Sequence, residues 1–116
     1  MHRFKDLEFW EKSKTLAVEI YELTGSFPQS EVYGITSQMR RAAVSIPSNI
    51  AEGAGRTSDK EFSRFLDIAM GSAYELETQL LIANDIGFLN KDKFESSNSQ
   101  LSSVIQMISK FKQRLK

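Results

Sequence analysis

Apolar positions recur at three- and four-residue steps in four stretches of the chain, and no stretch alternates with the two-residue period of a strand. The first predicts a helix from about Asp6 to Leu23, with Leu7, Trp10, Ala17, Ile20 and Leu23 on one face. Thr24-Gly25-Ser26-Phe27-Pro28 stops it, with Gly25 placed for a C-cap and Pro28 just beyond. The second predicts Ile35 to Glu52, on a stripe of Ile35, Met39, Ala42, Ala43, Ile46 and Ile50. Pro47 lies inside this stripe. It removes a backbone hydrogen bond and crowds the preceding turn, so a kink is expected. A break is not, because the apolar period stays in phase through Ile50. Gly53-Ala54-Gly55 closes the segment.

The third stretch predicts Asp59 to Ile86, with Ser58 and Glu61 fitting a capping box and Gly87 ending it. Phe62, Phe65, Leu66, Ala69, Ala73, Leu76, Leu80 and Ala83 mark its core face. The fourth predicts Lys91 to Leu115 behind an Asn90 N-cap. Phe94, Leu101, Ile108 and Leu115 stand seven apart, with Val104, Ile105 and Phe111 between them, a bundle or coiled-coil period. Connections are short, except from Gly25 to Gly34, and short connections make neighbouring helices antiparallel. The expectation is one all-α domain over residues 1–116, an up-down-up-down antiparallel four-helix bundle with its second helix kinked at Pro47.

The third helix carries a second stripe, Met70, Tyr74, Leu81 and Phe88, about 115° from the first on a helical wheel. A single bundle needs one stripe per helix. The second is either a widened buried face or a subunit contact, and an exposed patch of this kind points to the contact.

Composition removes much chemistry. The chain has no Cys and a single His, at position 2. Disulfide scaffolds, thiolate zinc sites and cysteine nucleophiles are excluded, and His-based metal sites and Ser-His-Asp chemistry nearly so. A di-iron bundle needs two Glu-x-x-His pairs, which one His outside the helices does not supply. No cofactor is expected. The first thirty residues are charged throughout and lack the apolar run of a signal peptide, and the longest apolar run is Leu80-Leu81-Ile82-Ala83. The chain is therefore expected to be cytoplasmic, with no membrane span.

The run Arg40-Arg41-Ala42-Ala43-Val44-Ser45-Ile46-Pro47-Ser48-Asn49-Ile50-Ala51-Glu52-Gly53 resembles the signature of a bacterial four-helix bundle family. That family is named after proteins encoded in intervening sequences of 23S ribosomal RNA genes and is also labelled S23 ribosomal protein. The resemblance continues through Glu61-Phe62, Phe65-Leu66, Ile68-Ala69, Gly71-Ser72, Glu75-Leu76-Glu77 and Leu80. It includes Leu7, Trp10 and Lys12 upstream, then Phe27-Pro28, Glu31, Tyr33-Gly34 and Gln38. It covers about positions 4 to 90; the fourth helix resembles the family only in period. Ser13, where Ala is frequent, and Ile35, where Leu is usual, depart from the pattern. The resemblance implies an up-down bundle and a homopentameric ring, as in related members and in the similar accessory protein of diversity-generating retroelements, which is associated with nucleic acid and a reverse transcriptase. It implies no enzymatic activity, and ribosome membership does not follow from the label.

Within the signature, Ser45, Asn49 and Glu52 share one helix face beside Pro47. They could bind a small ligand or phosphate. The structural reading is stronger: Ser45 and Asn49 serve carbonyls freed by Pro47, with Ser72 and Glu75 as partners on the third helix. Arg40 and Arg41 are expected to pair with carboxylates on neighbouring helices. Gly53-Ala54-Gly55-Arg56-Thr57-Ser58 precedes a helix start, where phosphate can bind. Its spacing is not that of a P-loop and no strand precedes it, so turn and N-cap are the simpler reading.

Charge distribution carries the most information. The chain holds 15 Lys plus Arg and 15 Asp plus Glu, so it is neutral. In an up-down bundle one end would gather Arg3, Lys5, Arg56, Lys60, Arg64, Lys110, Lys112, Arg114 and Lys116, against Asp6, Glu8, Asp59 and Glu61. Nine bases less four acids give that end +5, leaving −5 elsewhere. Helix-end electrostatics accounts for Lys110 to Lys116 but not for Arg3, Lys5, Lys60 or Arg64. In a ring of five the end would approach about +25, a phosphate-binding surface. The expected function is non-enzymatic binding of RNA, or less favoured DNA, by an oligomer, with a protein-interaction scaffold as the alternative. That scaffold would present Met70, Tyr74, Phe88 or the loop around Val32-Tyr33 to a protein partner.

Overall fold

In the computed structural model, which describes residues 1–115, the four periodic stretches are four α-helices. They are α1 (Glu8–Thr24), α2 (Ile35–Ala54), α3 (Asp59–Asp85) and α4 (Lys91–Arg114), with short 3-10 turns at Phe4–Asp6 and Gln29–Glu31. No strand occurs among the described residues.

Two helices start on side-chain caps. Ser58 Oγ accepts the Glu61 amide at 3.1 Å, and Asn90 Oδ1 accepts that of Lys93 at 2.8 Å. The end of α3 is closed by Gly87 in the left-handed region, φ +84°. This conformation lets the Phe88 amide reach Ala83 O at 2.9 Å and the Gly87 amide reach Asn84 O at 3.2 Å. Gly25, placed for the same role after α1, has φ −61° and makes no such turn.

The start of α1 differs from the sequence expectation. The Asp6 and Leu7 amides close tight turns onto Arg3 O and Phe4 O, both at 3.0 Å, and Leu7 is extended. Phe4 folds back against Trp10, ring centroids 4.9 Å apart, so regular helix begins at Glu8. The expected face holds at Ala17, Ile20 and Leu23 and differs over the first turns of α1. Phe9, Ser13, Leu16, Ala17, Ile20 and Leu23 are buried, while Leu7 and Trp10 are only partly so. Phe9 packs on Phe111 of α4, centroids 5.1 Å apart. Ser13 is fully buried because its hydroxyl donates to Trp10 O at 2.9 Å.

The core faces expected for α2 and α3 are buried, save that Ile35 is only partly so. In α4, Leu101, Val104 and Ile108 are buried, with Phe94, Ile105, Phe111 and Leu115 against their margin. Each helix packs against the next, and α4 returns to α1. Partners sit at opposite chain ends: Arg40 with Thr24, Gly53 against Phe62 and Phe65, Lys112 with Asp67, Ser97 with Glu19. Neighbouring helices therefore run antiparallel. The body measures 44 × 24 × 19 Å, its length set by α3. Pro47 is buried inside α2, which runs through it unbroken. No helix among the described residues is long and apolar enough to cross a membrane.

Candidate nucleic-acid interface

Antiparallel packing gathers the starts of α1 and α3 and the ends of α2 and α4 at one end of the bundle. Eight of the nine bases expected there can be placed; Lys116 lies outside the described residues. They fall into two groups. Arg3, Arg56 and Lys112 are engaged. Arg3 Nε lies 3.6 Å from Asp6, Arg56 Nη2 lies 3.0 Å from Glu52, and Lys112 donates to Asp67 across the α3–α4 seam. Lys5, Lys60, Arg64, Lys110 and Arg114 have no carboxylate within 4.0 Å among the described residues.

Two of these pairs correct the charge count. Glu52 and Asp67 belong to the basic end, since they face Arg56 and Lys112 there. Among the described residues, eight bases less six acids make that end +2, against the +5 expected with Lys116 counted and those two acids left out. The free cations nonetheless cluster. An open groove of about 660 Å³ is lined by Lys60, Arg64, Ser63, Glu61, Asp67 and Leu115. A second, about 390 Å³, lies on the other flank of α4 and is lined by Lys110, Arg114, Asp6, Glu8 and the apolar Leu7, Phe9, Met107 and Phe111. Most carboxylates in these walls already face a base: Asp67 faces Lys112, Glu61 faces Arg56 at 3.9 Å, and Asp6 faces Arg3. Arg56 and Arg64 also cover the Phe65 ring, 4.8 and 5.3 Å from its centroid.

His2 belongs to this end as well, which nothing in the apolar period signals. Its amide donates to Ala54 O at 2.8 Å, and its ring lies 5.0 Å from Phe62 and 5.8 Å from Phe111. Its Nε2 is 3.3 Å from Asp59 Oδ1. The residue pins the N-terminal segment across α2, α3 and α4.

The signature residues form a packing device on the α2–α3 seam. Ser45 Oγ and Ser72 Oγ are 2.7 Å apart, and Asn49 Nδ2 donates to Ser45 O at 2.9 Å and Ser45 Oγ at 3.0 Å. Ser72 is the partner expected. The carbonyl served is that of Ser45, whereas Pro47 withholds its amide from Ala43, so Asn49 reinforces the turn after the gap without filling it. Glu52 turns away to Arg56 and is no member of the cluster. Arg40 does not form the expected ion pair. Its Nε donates to Thr24 Oγ1 at 2.9 Å and its Nη2 to Tyr21 O at 3.3 Å, with the guanidinium 4.7 Å from the Tyr21 ring centroid. It caps α1, which has no base in its own last turn. Arg41 is exposed, with no carboxylate within 4.0 Å among the described residues.

The second stripe of α3 divides. Met70 and Phe88 are half-buried against this chain's own core, Phe88 with its ring 5.2 Å from Phe27. Tyr74 and Leu81 stay about half exposed, at 52% and 47%.

This fold has a solved counterpart. A protein of unknown function from the S23 ribosomal protein family of Bacteroides thetaiotaomicron VPI-5482 superposes with a TM-score of 0.81, over 90% of this chain and 97% of that one. At 23% identity the likeness is one of fold. No curated protein matches the sequence. The family model described as 23S rRNA-intervening sequence protein matches residues 5–110, nearly the whole bundle and all of the Arg40–Gly53 signature, and the chain belongs to that family.

Proposed function

We propose that this chain is a non-enzymatic, oligomeric nucleic-acid-binding protein that holds phosphates at the basic end of its bundle. One observation carries the reading. Lys60, Arg64, Lys110 and Arg114 line two grooves on either flank of the α4 end and have no carboxylate within 4.0 Å among the described residues. Cations without protein partners are the ones that can exchange counterions for phosphates. The two aromatics in the groove walls, Phe9 and Phe111, pack on each other at the edge of the core, so the proposed interactions are with the phosphate backbone and insensitive to sequence. RNA is the first polymer to test, because the family's description ties its members to a ribosomal RNA sequence.

A ring, with five copies as the proposed number, would multiply these weak interactions. Half-exposed Tyr74 and Leu81 support an interface between copies on α3.

The test is fluorescence anisotropy of labelled structured RNA and of duplex DNA of equal length, at two salt concentrations. Binding should weaken steeply with salt. Lys110→Glu with Arg114→Glu should lower affinity about tenfold or more and flatten the salt slope by about two, one for each phosphate no longer neutralised. The native mass should not change. Affinity unaltered by the double substitution would overturn the reading. Absence of any binding at low salt would favour a protein-interaction scaffold, which the 95% exposed Tyr33 on the α1–α2 connection supports as the second reading.

A further inference from the structure

The four cations in the groove walls are not equivalent. Of Lys60, Arg64, Lys110 and Arg114, Arg64 alone has its charged group seated on an aromatic ring among the described residues. Its guanidinium carbon lies 5.3 Å from the centroid of Phe65. That ring is itself fixed. Phe65 is only 6% exposed, and it packs so closely on α2 that a Cβ at Gly53 would lie 2.6 Å from its Cβ and 3.3 Å from its Cγ. Arg56 covers the same ring, 4.8 Å from the centroid.

The surroundings of Arg64 also keep its charge available. Glu61 and Asp67 stand three positions before and after it, the spacing of an ion pair within a helix. Neither pairs with it. Glu61 faces Arg56 at 3.9 Å, and Asp67 accepts from Lys112. Neighbouring bases thus engage both carboxylates in reach. Arg64 remains exposed on α3, beside Lys60 in the wall of the groove of about 660 Å³. A long side chain loses rotamer freedom when it holds a phosphate, and one already seated on a ring loses less. A guanidinium also offers two parallel N–H groups to two phosphate oxygens, which an ammonium does not.

We propose, on the reading that this end binds nucleic acid, that Arg64 is its principal phosphate anchor and that Phe65 is the residue that positions it. The support runs from Gly53, the last residue of the Arg40–Gly53 signature, through Phe65 to Arg64. It gives the close packing of α2 on α3 a consequence at the nucleic-acid interface.

The experiment is fluorescence anisotropy of a labelled RNA duplex of mixed sequence with the full chain and its variants. Arg64→Lys keeps the charge and removes the planar fork. It should bind about fivefold more weakly with an unchanged salt slope, since as many phosphates are neutralised as before. Arg114→Lys makes the same exchange at an arginine with no ring beneath it, and should stay within about twofold of the parent protein. Phe65→Leu should lower affinity about threefold alone, and add nothing to Arg64→Lys in the double variant. In the free protein, the NMR order parameter of Arg64 Nε–H should exceed that of Arg114 Nε–H, and Phe65→Leu should bring the two together. Equal losses from Arg64→Lys and Arg114→Lys, or an Arg64 side chain as mobile as that of Arg114, overturn the proposal and leave phosphate binding at this end standing. An equal loss from Phe65→Leu with and without Arg64→Lys overturns the positioning role, because a merely structural effect is blind to residue 64. Failure of the parent protein to bind the duplex at low salt overturns both readings.

Discussion

Two glycines on neighbouring helices have opposite reasons for being there. A Cβ at Gly53 would lie 2.6 Å from Phe65 Cβ and 3.0 Å from Phe62 Cδ1. The first of these atoms is fixed directly to the α3 backbone, so the helices would have to part. Gly53→Ala is expected to cost about 1–3 kcal/mol, read as a lower denaturant midpoint at unchanged slope. At Gly71 nothing lies within 4 Å of a built Cβ, and the residue sits exposed inside α3. Gly71→Ala should therefore stabilise by about 0.8–1 kcal/mol in the same assay, the ordinary gain in helix propensity. Position in the chain makes Gly53 a helix terminator; the neighbour that makes it indispensable stands on another helix. Arg40 carries the same lesson. Its charge predicted a carboxylate partner, and the fold gave it carbonyl and hydroxyl oxygens of α1 instead.

The helices differ in how they are held. Across the α2–α3 seam the side chains are small or flat, with Ser45 against Ser72 and Gly53 against Phe65. The α4 helix is rich in Ser and touches its neighbours partly through polar bonds, Ser97 and Gln100 to Glu19 at 3.0 and 2.6 Å and Lys112 to Asp67. Ser is a weaker helix former than Ala or Leu, so the start of α4 relies on its cap. Asn90→Ala should lower stability by about 1 kcal/mol, measured by chemical denaturation. Native-state hydrogen exchange should show α4 amides opening at lower free energy than the buried middle of α3. Uniform protection across the four helices would contradict this ordering. For α2 and α3, periodicity placed the core face; for α1 it placed Ala17, Ile20 and Leu23, but at the start of the helix it chose Leu7 and Trp10, which are only partly buried, and missed Phe9, Ser13 and Leu16.

For the molecule as a whole, the decisive quantity is which charged and apolar groups remain unpartnered once four helices have packed. Folding spends Arg3, Arg56 and Lys112 on local carboxylates and leaves Lys60, Arg64, Lys110 and Arg114 without one within 4.0 Å among the described residues. It likewise spends Met70 and Phe88 on the core and leaves Tyr74 and Leu81 outside. Tyr74→Asp with Leu81→Asp should lower the native mass while leaving the helical circular dichroism intact. A native mass unaltered by the pair would remove α3 as the subunit interface. Met70→Asp makes the control: placed against the core, it should lower Tm, because a carboxylate there loses water without gaining a partner.

The sequence by itself determined the helix count, their approximate bounds, the core faces of α2 and α3 and, through the Arg40–Gly53 run, the family. These depend on local period, on capping residues next to the helices they start, and on a contiguous motif, all of which survive in one dimension. The tertiary structure decided the pairing of Glu52 and Asp67 with bases of the same end, the duty of Arg40 as a cap on α1, the fastening of His2 to α3, and the unpaired state of Thr36. A side chain is an ion-pair partner, a cap or an orphan according to which atoms lie within about 3–4 Å of it. Apart from the i to i+4 pair of Glu52 and Arg56, those atoms come from residues 12 or more positions away or, for the Thr36 hydroxyl, from none of the described residues.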